Sequence, residues 1–218
     1  MSVMFEVWGD YAAFNRPEFK TERVTYDCIT PSAARGILEA IYWHPGLKYY
    51  IDSIYVCNPI KTANIRRNEV KEKISADSVK NAMKKGEKDK LYICTSDAIV
   101  QRAALVLKDV RYVIEAHFEM TDHANESDNP GKFQDIIKRR LEKGQCFHMP
   151  YLGVREFPAS FRIWDNKKIV PTAYKGEKDL GYMLYDLDFN GESGIEPMFF
   201  HAVLKDGKLN LKNCEVLK

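Results

Sequence analysis

The sequence predicts an α+β protein, and three observations carry that prediction. The chain opens as strand, helix, strand. Residues 110–120 alternate strictly between two kinds of side chain, and the last third breaks into short β-rich runs around Asn190-Gly191 and Asp206-Gly207. A strand–helix–strand opening is the beginning of a ferredoxin-like or RNA-recognition-like α+β unit. The expected architecture is therefore a ferredoxin-like N-terminal domain over residues 1–160 and a small C-terminal antiparallel β-sheet domain over 161–218.

Each element follows from local chemistry. Residues 4–9 alternate and read as a first strand, followed by Gly9-Asp10. Thr30-Pro31 starts a helix, because Thr caps orphan amides and Pro suits the first helical position. The helix runs from about Pro31 to Tyr42 with Ala34, Ile37, Leu38 and Ile41 on one face, and His44-Pro45-Gly46 stops it. Residues 47–58 are rich in β-branched and aromatic types and read as a strand. Residues 61–90 form a polar, basic excursion, helical from Ser75 to Met83. A strand is expected over Lys90–Thr95 and a short helix or strand pair over Asp97–Lys108. On the clearest strand, Val110, Tyr112, Ile114, Ala116, Phe118 and Met120 share one face. Arg111, Val113, Glu115, His117 and Glu119 share the other, the signature of a half-buried strand with an open polar side. Residues 132–143 form an amphipathic helix, with Phe133, Ile136, Ile137 and Leu141 inward and Gly144 ending it.

Composition narrows the class further. With 45% hydrophobic and 29% charged residues, the chain is globular rather than disordered or fibrous. Five scattered cysteines without a CxxC pair fit reduced, buried thiols in an intracellular protein better than a disulfide framework or zinc knuckle. The chain lacks a run of 18 apolar residues, and its N-terminal stretch has acids and no basic segment, so a soluble, cytoplasmic protein without membrane contact is expected. Net charge is only +2, but residues 61–90 and 131–168 each carry a local +5, against −4 over 111–130 and −5 over 179–197. Such segments form either a polyanion groove or ordinary solvated faces.

Few residues stand out for chemistry. His117 falls on the open face of its strand, where imidazole can act as general acid or base; an ion-pair ladder on an exposed sheet is the alternative. Tyr42-Trp43-His44 closes the first helix as either core packing or a stacking platform. His117, His123 and Asp122 lack metal-site spacing, and Walker, GxGxxG and GxSxG motifs are absent, so neither a metal nor another cofactor is expected. Residues 144–157 place glycine before an aromatic and histidine run, then Gly153 and Arg155. Backbone amides near Gly144 together with Arg155 would suit a phosphate, while Cys146, Phe147 and Tyr151 equally suit a core.

Four ordered segments are more telling together: GDYAAF at 9–14, TPSAARGILEAIYW at 30–43, IEAHFEM at 114–120 and GQCFHMPYLGVREF at 144–157. With them the chain resembles the CRISPR-associated Cas-five family, Dvulg (type I-C) subtype, of the repeat-associated (RAMP) RNA-binding superfamily. The resemblance covers about residues 4–160 and continues weakly through LGYMLYDLDF at 180–189. It implies a ferredoxin-like (RRM-like) domain with a small C-terminal sheet, and an endoribonuclease that cuts precursor crRNA without metal through the 2′-hydroxyl. It also implies, as partners, CRISPR repeat RNA and type I-C surveillance-complex subunits; duplex DNA is compatible with the basic segments. Related subtypes serve as non-catalytic subunits holding the crRNA handle. Tyr42 and His117 match the family's catalytic tyrosine and histidine. Where the family has a lysine beside that histidine, this chain has Glu115 and Ala116, which puts the cleavage rate in question. Arg66, Arg67, Lys138, Arg139, Arg140, His148 and Arg155 are the candidate RNA contacts.

Overall fold

A computed structural model describes residues 2–19, 21–87, 91–165, 168–191 and 194–218, the side chain of Asn190 excepted. The element order is β1 (Ser2–Ala12), β2 (Arg23–Val24), α1 (Pro31–Ile41), β3 (Leu47–Val56), β4 (Lys61–Val70) and α2 (Ala76–Lys85). There follow β5 (Ile99–Met120), α3 (Pro130–Lys143), β6 (Ser160–Ile163), β7 (Glu177–Gly191), β8 (Gly194–Lys205) and β9 (Lys208–Asn210). Among the described residues these strands form one large sheet in the order β6-β1-β5-β3-β9-β8-β7, with β2 and β4 also on β5. All pairings are antiparallel except that of the two-residue β2. The fold is a mixed α/β one, with a large antiparallel sheet and few helices.

The first helix starts where the sequence expects, at Pro31, and α3 starts at Pro130, two residues before the expected 132. Thr30 caps α1 by accepting from the amide of Ala33, and Asn129 caps α3 by accepting from Lys132. Gly144 ends α3 at φ 62°, a left-handed turn that glycine adopts without steric cost. Both helices lie on one face of the sheet. Ala34, Ile37, Leu38 and Ile41 of α1 and Phe133, Ile137 and Leu141 of α3 join Phe5, Tyr49, Ile114 and Phe118 in a single apolar core. The other face keeps its polar row, with Val113 and Ser53 buried within it. On that face Glu6 is 1% exposed, and its carboxylate is gripped by Arg111 of β5 and Arg162 of β6, which ties three neighbouring strands together.

Several expectations are corrected. Leu91–Cys94 form no strand, and Lys90 lies outside the described residues. Asp97–Lys108 is not a helix or a strand pair, because Ile99–Lys108 continues into the alternating segment as one 22-residue strand. Asp109 bends it at φ 53°, a conformation that aspartate tolerates better than most residues, and its carbonyl accepts from Asn58. The basic excursion is half strand: β4 pairs with 99–108, and no residue of β4 or α2 is buried, so the segment forms an exposed arm. Of the two readings left open for residues 144–157, the core one does not hold for Phe147 and Tyr151, which are exposed. Of the five free cysteines only Cys28 is buried; burial pushes its thiol up to about 12.

The first and last of the family-like segments hold each other. A Cβ on Gly153, at φ 86°, would sit 2.0 Å from the carbonyl oxygen of Ala13, and one on Gly9 would sit 2.6 Å from Leu152. At Gly153, where the obstacle is backbone and φ is positive, only glycine permits that approach. Gly36 is the opposite case: it lies inside α1 with open space around its Cβ position. Gly36→Ala is expected to stabilise the protein by about 0.5–1 kcal/mol through helix propensity, seen as a raised denaturation midpoint. A lowered midpoint would show that the helix needs the glycine.

Candidate active site on the open sheet face

His117 projects from near the C-terminal end of β5, flanked by Ser2 on β1 and Tyr50 on β3. Its side chain is 36% exposed. The ring stacks on Tyr50 with centroids 5.2 Å apart and planes 14° apart. Its Nδ1 lies 2.9 Å from Oδ1 of Asp52, a carboxylate that is 8% exposed. When Nδ1–H donates to that carboxylate, the tautomer is fixed and Nε2 holds the lone pair. An imidazole so held is a general base in its neutral form and a general acid once protonated.

A bulge makes this pair. The β3–β5 register reads Tyr50↔His117 and Ile51↔Ala116, then jumps to Ser53↔Glu115. Asp52 is the extra residue, and a bulge re-aims a side chain that strict alternation would not bring beside its partner. Its carbonyl oxygen also accepts from the amide of Leu211 at 2.9 Å, drawing the segment after β9 onto the same face. Together Ser2, Tyr50, Asp52, His117, Tyr185 and Lys212 line an open cleft of about 650 Å³. Glu115, one pleat from His117, is engaged by Lys212 with Nζ 3.4 Å from Oε1. The carboxylate against His117 is therefore Asp52, not Glu115.

Tyr42 is not beside His117. Its ring lies 6.2 Å from Phe133 between centroids, and Phe133 lies 6.4 Å from Phe118, whose side chain leaves β5 on the face opposite His117. The sheet separates the two residues. Arg140 stands 5.0 Å above the Tyr42 ring and donates to the carbonyl of Ile41. Burial raises the Tyr42 phenol above its ordinary pKa, with Lys132 and Arg140 opposing, so it stays a neutral hydrogen-bond donor.

The candidate RNA contacts fall into separate groups. Arg139 is exposed on α3, and Lys138 lines a groove with Arg111, Arg162 and Lys168. Arg140 and His148 lie near the end of α1, where the amide of His148 donates to Ala40 and its ring lies 4.3 Å from that of Phe147. Arg66 is exposed on β4 and Arg155 on the loop before β6. Arg67 is committed: it pairs with Glu156 at 2.8 Å and packs over Phe157. Among the described residues no group of three or more His, Cys, Asp or Glu is arranged to hold a metal, and no helix is long and apolar enough to cross a membrane.

Comparison with known proteins places the chain. Residues 2–212 match the Cas5d family model, described as CRISPR-associated protein (Cas_Cas5). The chain belongs to the Cas5d family. A relative in Mannheimia succiniciproducens named CRISPR pre-crRNA endoribonuclease Cas5d is 50% identical over 213 residues, 96% of this chain and 94% of that protein. A solved structure described as a CRISPR-associated protein superposes with a TM-score of 0.74 at 22% identity, covering 100% of this chain and 97% of that one. A chain from a CRISPR RNA-guided surveillance complex matches with a TM-score of 0.54 at 13% identity, covering 100% and 89%. These two likenesses concern the fold of the Cas5d chain.

Proposed function

We propose that this chain binds CRISPR repeat RNA and cuts precursor crRNA as an endoribonuclease, without a metal, using the 2′-hydroxyl beside the scissile phosphate. The observation that carries the mechanism is the His117–Asp52 pair in an open cleft. The name of the half-identical relative supports the substrate. His117 takes the 2′-hydroxyl proton through Nε2, O2′ bonds to phosphorus, and the P–O5′ bond breaks. The products are a 2′,3′-cyclic phosphate and a 5′-hydroxyl, whose proton comes from the imidazolium or from water. Asp52 holds the tautomer and offsets the positive charge that forms on the ring. The base and its positioning group are both side chains, and the acid is the imidazolium so formed or water, so this reading calls on no metal.

The test is incubation of the protein with its repeat RNA in excess EDTA. Discrete cleavage is expected, and a single 2′-deoxy substitution at the scissile nucleotide should abolish it while leaving binding intact. Cleavage that survives the substitution would overturn the 2′-hydroxyl mechanism. A shift without cleavage would favour the handle-holding subunit.

The architecture fits this reading if residues 1–160 form the ferredoxin-like RNA-binding unit and 161–218 a second β unit docked on its edge. We assign α3 and the arm to the RNA track, with Lys138, Arg139, Arg155 and Arg66 facing phosphates; Arg140 lies over the Tyr42 ring, and His148 is held to the end of α1 through Ala40. Surveillance-complex subunits are the further partners in this reading. Tyr42 enters it as an RNA contact on the helix face, donating from its neutral phenol. Tyr42→Phe should weaken RNA binding a few-fold and leave the saturated single-turnover rate unchanged. A fall in that rate matching His117→Ala would return Tyr42 to the scissile phosphate.

A further inference from the structure

Cleavage at His117 places a phosphate against two carboxylates, Asp52 and Glu115, on one sheet face. The phosphorane that forms during attack carries more negative charge than the phosphate, so the cleft needs a cation aimed at it. The nearby cations are not equivalent. Arg111 and Arg162 are both held by the buried carboxylate of Glu6. Lys48 lies over the Tyr50 ring, 5.2 Å from its centroid, and lines the neighbouring cleft. Lys212 lines the same cleft as His117.

We infer that Lys212 contacts the scissile phosphate and stabilises its developing charge, with Glu115 holding the ammonium while RNA is absent. The inference rests on the His117 reading of the site. Two features make the lysine part of the site. The amide of Leu211, a residue only 5% exposed, donates to the carbonyl of Asp52, and the amide of Lys212 donates to Oδ1 of Asn210 at 3.1 Å. One bulge residue thus aims His117 through its carboxylate and, through its carbonyl, anchors Leu211, the residue next to the lysine. The pair with Glu115 is also loose: Nζ–Oε1 is 3.4 Å and the lysine side chain is 54% exposed. An exposed pair of that kind contributes little, so exchanging the carboxylate for a phosphate oxygen is cheap, and the four-carbon stem supplies the reach.

The test compares wild type with Lys212→Ala, Lys212→Arg and His117→Ala, using full-length protein and RNA of the CRISPR repeat. Saturated single-turnover rates are measured beside affinity for the same RNA made uncleavable by one 2′-deoxy nucleotide. Lys212→Ala should lose roughly 100- to 1000-fold in rate, with affinity within about three-fold, as for loss of a contact made mainly in the transition state. Lys212→Arg should recover most of the rate. Wild-type cleavage by Lys212→Ala beside an inactive His117→Ala would overturn the inference and spare the site. Wild-type cleavage by both would overturn the site as well. Equal losses in rate and affinity would make Lys212 a uniform binding contact, which also overturns the inference.

Discussion

His117→Ala is expected to slow repeat-RNA cleavage roughly 100- to 10,000-fold, the range that a positioned general base contributes. Affinity for uncleavable RNA should stay within a few-fold. The ring is partly exposed and contributes a stack on Tyr50 and one hydrogen bond to Asp52, so its loss leaves the fold standing. It does leave the Asp52 carboxylate, 8% exposed, without its partner, which should lower the unfolding midpoint modestly. His117→Gln separates the two effects, since its amide can donate to Asp52 but cannot accept a proton. Gln should restore stability and not rate. If His117→Ala cuts at the wild-type rate, the chemistry lies elsewhere on the molecule.

Much of the placement of His117 is legible in the sequence, because alternation along a strand is a local property. Val110, Tyr112, Ile114, Ala116 and Phe118 turn toward the helices as the pattern demands, and His117 turns the other way. Its partner is not legible. The register jump that exposes Asp52 to His117 exists only in the pairing of β3 with β5. An acid inside the mostly apolar and aromatic run YYIDSIYV is the available signal, since a buried charge requires a partner. Lys212 arrives from the far end of the chain next to Leu211, whose amide donates to the carbonyl of Asp52, and no local pattern announces that contact. The placement of Tyr42 on the helix side is not legible, for a geometric reason. A 100° helical step fixes which side of α1 it occupies, but not which face of the sheet α1 covers. The arm is legible as charge but not as strand: β4 alternates half-buried and exposed positions, but the half-buried ones are Ala63, Ile65, Arg67 and Glu69, a mixed set without the apolar alternation that reveals a strand.

Asp52→Asn is the sharper probe of mechanism, and it is expected to slow cleavage roughly 100- to 10,000-fold without unfolding the protein. The substitution keeps size and shape, and the backbone carbonyl that accepts from Leu211 is untouched. What changes is the partner of Nδ1. A carboxylate only accepts, so it selects the tautomer whose Nε2 lone pair faces the cleft. The asparagine amide can instead donate to Nδ1, which puts the proton on Nε2 and removes the base. It also removes the negative charge that offsets the imidazolium formed as the 2′-hydroxyl ionises. Asp52→Ala makes the comparison decisive. If Asp52 merely fills space, Asn should cleave near the wild-type rate and Ala should be worse. If it sets the tautomer, Asn should be as slow as Ala or slower, despite melting closer to wild type. Saturated single-turnover rates, read beside affinity for 2′-deoxy RNA, distinguish the two, because neither variant alters the outer RNA contacts. An Asp52→Asn protein that cleaves at the wild-type rate would show that the 2.9 Å pair is structural and that the proton leaves by another route.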